Sequence, residues 1–368
     1  MSSEAGLRLG LIGIGKTGRT HLAALVAIKN SGLLPLEITA ICDSDKSKAK
    51  KVAKEFGSPV FYDNHNDLVN DENVDVVYVC TPTSKHIDMV KAAARANKAV
   101  YCEKPVALSC PQVTELNAVA LDSSVPTSAG FILRYDPFLL YAKELMQKHD
   151  FGQPHLAHIR DDQHFPREQE DYAQWRGENS VPGGGILLER CTQDIDILTW
   201  FFGDVTNIYA RVGFFNELSV EDQASLVMQH KDGTTSSIDA IWHLIERSDE
   251  KSMEFFFERG YIGITLESGN SHLDYHLQGE DPVRIDPENV ETVLLDHLGI
   301  SSKNMALEVR EPLVDPSINR HAALSYAFLN AVISKKTPSP NFLDAVAIHK
   351  IVDAAYESAN KGSPIDVL

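Results

Sequence analysis

Two segments of this chain hold groups suited to phosphate and proton chemistry, and each follows a short apolar run. The first is Gly13-Ile14-Gly15-Lys16-Thr17-Gly18, directly after residues 7–12 and directly before a helical pattern over 19–30. Glycines in that spacing serve a tight turn, a close approach of backbone to a pyrophosphate, and close packing of helix on strand. The helix N-terminus then faces the phosphate charge. The competing reading is a glycine-rich βα turn without a ligand. The second segment is Glu103-Lys104-Pro105, after the run 99–102. A lysine at a strand's carboxyl end in a dinucleotide-binding sheet can donate to a substrate oxygen and stabilise an alkoxide as hydride leaves carbon. Its rival is a surface lysine paired with Glu103.

Two further segments follow strands in the same way. Asp43-Ser44-Asp45 comes after the run 37–42. An acid there accepts both ribose hydroxyls and repels a 2′-phosphate, so Asp43 favours NAD over NADP; Ser44 and Asp45 suit a helix N-cap better. The neighbouring Lys46 and Lys48 keep NADP open. Thr81-Pro82-Thr83-Ser84-Lys85-His86 follows the run 74–80.

The elements that position these segments alternate. Strands are expected over 7–12, 37–42, 74–80, 99–102 and 127–129, with helices over 19–30, 46–56, 84–95 and 111–121 between them. Apolar strands alternating with helices specify βαβ units and a parallel sheet, an α/β Rossmann domain over 1–130. Ligands in such sheets sit outside the carboxyl ends of the strands. From about residue 154 the alternation stops. Strands over 156–162, 205–215, 222–229, 236–243, 253–258 and 261–266 follow one another directly. The remainder, 131–368, is therefore an α+β domain with a large, mostly antiparallel open sheet. Residues 267–319 read as irregular and polar. A helix over 186–202 places Glu189, Gln193 and Asp196 on one face, and its rival reading is a solvated polar face.

Composition removes other classes. The 34 Lys and Arg against 52 Asp and Glu give a net charge of −18, which argues against nucleic acid or an anionic membrane surface as partner. No apolar run approaches the roughly 20 residues of a membrane span, and the N-terminus lacks the pattern of a signal peptide, so a cytoplasmic location is expected. The 5 cysteines include no CxxC pair and the 14 histidines no HExxH pair, so neither a disulfide framework nor a metal is expected.

GIGKTGRTH, TPTSKH and KAVYCEKPVALS together resemble the Gfo/Idh/MocA family of sugar and cyclitol oxidoreductases, as do Gly130 to Pro137, Trp175-Arg176 and Gly183 to Glu189. The resemblance implies an NAD- or NADP-dependent dehydrogenase acting on a secondary hydroxyl of a cyclitol or sugar, inositol first. It also implies a homo-oligomer, dimer or tetramer, that uses one face of the second sheet. Residues 13–18, Asp43, Thr81, Pro82, Thr83, His86, Glu103 and Lys104 then attend the cofactor. Lys104, Glu189 and Gln193 attend the reacting groups, and Arg134, Tyr135, Asp161, Gln163 and Arg176 line the substrate side. In the family, the position of Gln193 holds a histidine that exchanges the hydroxyl proton, and an amide cannot act as a base. Three accounts stay open. Lys104 works alone; another group such as Glu189, Asp161 or His158 takes the proton; or the chain binds cofactor as a silent regulator. An NAD-dependent glycoside hydrolase is a further, weaker alternative.

Overall fold

The computed structural model describes residues 6–58, 60–165, 184–216, 219–290, 292–300, 307–316 and 318–367. It begins with β1 (Leu7–Ile12), α1 (Lys16–Ser31), β2 (Leu36–Cys42), α2 (Lys46–Glu55), β3 (Val60–Tyr62) and α3 (His65–Val69). Then come β4 (Val76–Val79), α4 (His86–Arg95), β5 (Ala99–Cys102), α5 (Cys110–Asp122) and β6 (Thr127–Ala129). These strands form one parallel sheet in the order β3-β2-β1-β4-β5-β6. Every residue of β4 and β5 is buried, as expected where helices cover both faces. The order reverses between β1 and β4, which puts the glycine segment and Thr81 side by side at the switch point. Strand β3 and helix α3 were not expected from sequence; β3 is three half-buried residues, too short for a periodic pattern.

The chain continues with α6 (Pro137–Lys148), β7 (Pro154–His164), α7 (Thr192–Phe202), β8 (Val205–Gly213), β9 (Gln223–His230) and β10 (Thr235–His243). It goes on through β11 (Glu250–Phe257), β12 (Gly260–Glu267), β13 (His272–Leu277) and β14 (Val283–Ile285). Last come α8 (Val293–His297), α9 (Leu307–Val314), α10 (Asn319–Ile333), α11 (Phe342–Lys361) and β15 (Ile365–Asp366). The second sheet runs β14-β13-β12-β11-β7-β10-β9-β8-β15, and only the β7–β10 pair is parallel. Its inner face buries Ala157, Ile159, Leu226, Ile238, Met253 and Phe255. No helix among the described residues is long and apolar enough to cross a membrane.

The contacts divide the chain differently from the single boundary near residue 130 expected above. One unit comprises Met1–Ile132 with Leu294–Val346, and the other Leu133–Val293 with Ala347–Leu368. The returning segment belongs with the first unit because α9 and α10 pack on α1, with Ala322, Ala323 and Leu324 buried and Phe328 edge-on to the Tyr78 ring. The stretch expected to be irregular, 267–319, in fact holds β13, β14, α8 and α9. The helix expected over 186–202 opens with a wide π-turn, Leu187–Cys191, before α7. Such turns interrupt the 3.6-residue period, so the expected common face of Glu189, Gln193 and Asp196 is broken. Glu189 and Asp196 are buried, while Gln193 is partly exposed.

Candidate active site

In the first unit, the carboxyl ends of β1, β2, β4 and β5 bring four sequence-selected segments together. Gly13 has φ +88°, and a Cβ there would meet the Cys80 carbonyl oxygen at 2.7 Å. A Cβ at Gly18 would stand 2.0 Å from the Gly13 carbonyl oxygen, so the third glycine is needed for helix to meet strand. Gly15 has no atom within 4 Å of the place a Cβ would take. Helix α1 starts there with no side-chain cap and no acid in its first turn. An open glycine at the N-terminus of a helix with no side-chain cap fits an anionic diphosphate. Ile14 is buried and contributes only its backbone, Lys16 is exposed and Thr17 half-buried.

Asp43 supports the glycine loop from the end of β2. Its Oδ2 accepts from the Ile14 amide at 3.1 Å and its Oδ1 from the Asp45 amide at 3.0 Å, with the Lys48 ammonium 3.7 Å from Oδ2. A carboxylate has about four lone-pair sites, so these two backbone bonds leave acceptor capacity for ribose hydroxyls. The N-cap role falls to Asp45, which accepts from the Ser47 and Lys48 amides.

After β4, Thr81 and Pro82 are half-buried and Thr83 is buried. The His86 ring lies inside the unit, Nε2 at 2.8 Å from the Thr81 carbonyl oxygen and Nδ1 at 3.0 Å from that of Pro105. Burial lowers its pKa against the pull of those carbonyls. His86 thus fastens the loop after β4 to the loop after β5, a role behind the surface a cofactor would use.

The Glu103 side chain also turns inward. Oε1 accepts from the Tyr101 hydroxyl at 3.1 Å and lies 2.7 Å from His21 Nε2, and Oε2 accepts from the Lys104 backbone N–H at 3.1 Å. Burial pushes this carboxyl up, but the His21 hydrogen bond and the fields of His21, His321 and Lys104 more than offset it and hold it at about 2. Lys104 is half-buried, and its peptide bond to Pro105 is cis. A Cβ at Gly130 would stand 2.8 Å from the Lys104 nitrogen and 3.1 Å from Glu103 Cδ, so only glycine lets β6 run on past this loop.

In the second unit, Asp161 is fully buried on β7. It accepts from Gln163 Nε2 at 3.0 Å, Arg190 Nε at 3.3 Å and Lys251 Nζ at 2.9 Å. Burial would raise it, yet the Arg190 and Lys251 charges hold it at about 2. Its carboxylate is closed to solvent, so any contact with a sugar passes to Gln163 and Arg190, both partly exposed. Lys251 also pairs with Asp194, which burial pushes up to about 6 against the Lys251 charge. Arg134 Nε and Nη2 grip Asp196 at 2.9 and 2.6 Å, and burial pushes Tyr135 up to about 12. His158 faces Asp239 at 3.2 Å from the side of β7 opposite to Asp161. Arg176 and Trp175 lie outside the described residues. The sequence reading passed over His21, Arg190, Asp194 and Lys251. His21 carried a signal, three residues past the last glycine on the side of α1 that turns inward; Lys251, charged within a strand, carried none.

A switch-point crevice of this construction, joined in one chain to a mostly antiparallel second sheet, defines an oxidoreductase with an NAD-binding Rossmann domain. Residues 7–131 match the oxidoreductase family with NAD-binding Rossmann fold, GFO/IDH/MocA, and residues 139–263 match that family's C-terminal domain. The chain belongs to the GFO/IDH/MocA family, and its class is that of NAD(P)-dependent dehydrogenases. Myo-inositol 2-dehydrogenase of Thermotoga maritima is 28% identical over 262 residues, 70% of this chain and 74% of that protein. An uncharacterized oxidoreductase of Bacillus subtilis, YrbE, is 28% identical over 258 residues, 68% of this chain and 71% of its own. Levoglucosan dehydrogenase, solved with NADH and L-sorbose, shares the fold with a TM-score of 0.84 at 21% identity, over 98% of this chain and 99% of its own.

Proposed function

We propose that this protein oxidises a secondary hydroxyl of a cyclitol or sugar to a ketone, or runs the reverse, with NAD preferred over NADP. The observation that carries the reading is the convergence of the open glycine loop, Asp43 and Lys104 at the carboxyl ends of one parallel sheet. Bound NAD supplies the hydride acceptor. Residues 13–18 would hold its diphosphate and Asp43 its adenosine ribose. Lys104 Nζ, as the neutral amine, would accept the hydroxyl proton as hydride leaves carbon and, as the ammonium, return it in the reverse reaction, because the Gln193 amide has no basic site. Gln193, partly exposed, is assigned to orienting the substrate, and Glu189, which is buried, can act on it only from behind. Asp161 is a poor rival for the proton, since Lys251 and Arg190 hold its buried carboxylate, and His158 lies on the other face of the sheet. Relatives named inositol 2-dehydrogenase make myo-inositol the first substrate to try. A second reading, favoured by Gln193 alone, is an NAD-binding regulator without turnover.

We also assign the outer face of the second sheet to self-association. Leu156, Val227, Ile241 and Phe256 are exposed there on adjacent strands, with Leu156 directly opposite Phe256. Leu156, Phe256 and Val227 fall at neighbouring register positions, with Ile241 farther along β10, and exposed apolar side chains that adjoin in this way mark interaction sites.

The test is NAD reduction against a panel of polyols and aldoses, myo-inositol first, for the parent and Lys104→Met. The parent turns over at least one polyol, and Lys104→Met keeps NAD affinity while losing roughly 100-fold or more in rate. Turnover by Lys104→Met within a few-fold of the parent removes Lys104 from the chemistry. NAD binding with no turnover on the whole panel supports the regulator, and tighter binding of NADP than NAD reverses the cofactor preference.

A further inference from the structure

Behind Lys104 lies a cluster that the reaction as described does not use. His21, on α1, is fully buried, and its Nε2 stands 2.7 Å from Glu103 Oε1. Its Nδ1 is buried without a hydrogen-bond partner. The His321 ring, from α10, meets the His21 ring edge-on with centroids 5.0 Å apart. Tyr101 meets the same ring at 4.8 Å and donates its hydroxyl to the same carboxylate oxygen.

Two histidines and a carboxylate whose ligand atoms all lie within 4.8 Å could in principle hold a divalent cation. The spacing favours a shared proton instead. Two ligands of a tetrahedral ion with bonds near 2.0–2.1 Å stand about 3.3 Å apart, whereas His21 Nε2 and Glu103 Oε1 are 2.7 Å apart, a hydrogen-bond distance. A metal-bound histidine also donates its second ring N–H to an acceptor, and His21 Nδ1 has none. These partners assign the ring proton to Nε2, donated to Glu103.

We propose that His21 is a positioning residue for Lys104, acting through Glu103. This rests on the reading of Lys104 as the group at the reacting oxygen. Glu103 Oε2 holds the backbone N–H of Lys104, and Oε1 is held in turn by His21 and Tyr101. The lysine therefore springs from a backbone fixed to α1, the helix whose first turn would hold the diphosphate. Gly130 closes the other side of the loop, 2.8 Å from the Lys104 nitrogen by its absent Cβ. Without the His21 donor, a buried carboxylate keeps one side-chain partner and is drawn out of line, and Lys104 loses its anchor.

The experiment compares the full-length parent with His21→Leu, His21→Gln, Lys104→Met and His21→Leu/Lys104→Met. Leucine removes the donor, and glutamine returns an N–H near the place of Nε2. Amide hydrogen exchange of the peptide spanning residues 100–109 should accelerate roughly tenfold or more in His21→Leu and return toward the parent in His21→Gln. With NAD and myo-inositol, His21→Leu should lose roughly tenfold or more in kcat while KM and NAD affinity stay within a few-fold, and His21→Gln should regain most of it. The double variant should be no slower than Lys104→Met. Unchanged exchange in His21→Leu, or a loss that glutamine does not rescue, overturns the proposal, as does tight Zn²⁺ binding abolished by His321→Ala. Full turnover by Lys104→Met, or no turnover by the parent, counts against the dehydrogenase reading itself; the exchange comparison then decides the positioning role alone.

Discussion

Each unit buries carboxylates in or beside its candidate site, and the two hold them by different means. In the first, Glu103 is held by a ring N–H, a phenol and a backbone amide, all fixed by packing, with the fields of His21, His321 and Lys104 beside them. In the second, Asp161 and Asp194 share the Lys251 ammonium, with Arg190 on Asp161 as well. The outcomes differ. Glu103 and Asp161 both sit at about 2, but Asp194 is pushed up to about 6 and leaves its Oδ2 without a hydrogen bond. Donors aimed at one acceptor stabilise it without creating a competitor. One cation between two buried acids satisfies the better-placed acid at the expense of the other.

The contrast breaks most readily at Lys251. Lys251→Met leaves Asp161 and Asp194 buried with the Arg190 charge and the Gln163 amide, both on Asp161, and should cost about 3–5 kcal/mol of unfolding free energy. Urea unfolding checks it, and a loss below about 1 kcal/mol would mean that the cluster is solvated after all.

Acid titration sharpens the comparison. Glu103 is depressed from 4.5 to about 2, so its contribution is complete above pH 4.5 and is lost as pH falls toward 2. At 1.36 kcal/mol per unit this is about 3 kcal/mol, and Glu103→Gln should flatten that limb of the stability profile. Asp194 is raised instead, so its contribution falls as pH rises from 3.8 to about 6, and Asp194→Asn should remove a slope of the opposite sign. Slopes of one sign in both variants would contradict the difference drawn here.

The smallest effect belongs to Tyr101→Phe. It removes one of three donors to Glu103 and keeps the ring between Tyr78 and His21, so about 1 kcal/mol is expected in the same urea unfolding. A loss as large as that of Lys251→Met would show that the first cluster is no more tolerant than the second.

The first unit was largely legible because strands buried on both faces read as unbroken apolar runs, such as Val76–Val79, and glycine or acid directly follows β1, β2 and β5. The carboxyl-end segments followed from that alone. What escaped was non-local. Nothing in residues 294–346 marks them as part of the first unit, since α10 reads as an ordinary amphipathic helix until its partner α1 is known. The π-turn at Leu187–Cys191 escaped because a helical pattern does not record one inserted residue. Strand β13, His272–Leu277, by contrast alternates polar and apolar residues at every position, so its signal was in the sequence. Lys251 reads as a solvated charge, and only the sheet register, which pairs it with Asp161, shows that it is not.

The return of α10 to the first unit also has a temporal side. Roughly two hundred residues separate Ile132 from Asn319, and at ribosomal rates of about 5–20 residues per second that is a wait of roughly 10–40 s. During it the stacked rings of Tyr78 and Tyr101 and the inward side of α1 have been synthesised, but Phe328 and His321 have not. The nascent dinucleotide domain therefore emerges with an apolar flank open, and the surroundings of Glu103 are completed by residues made roughly two hundred positions later.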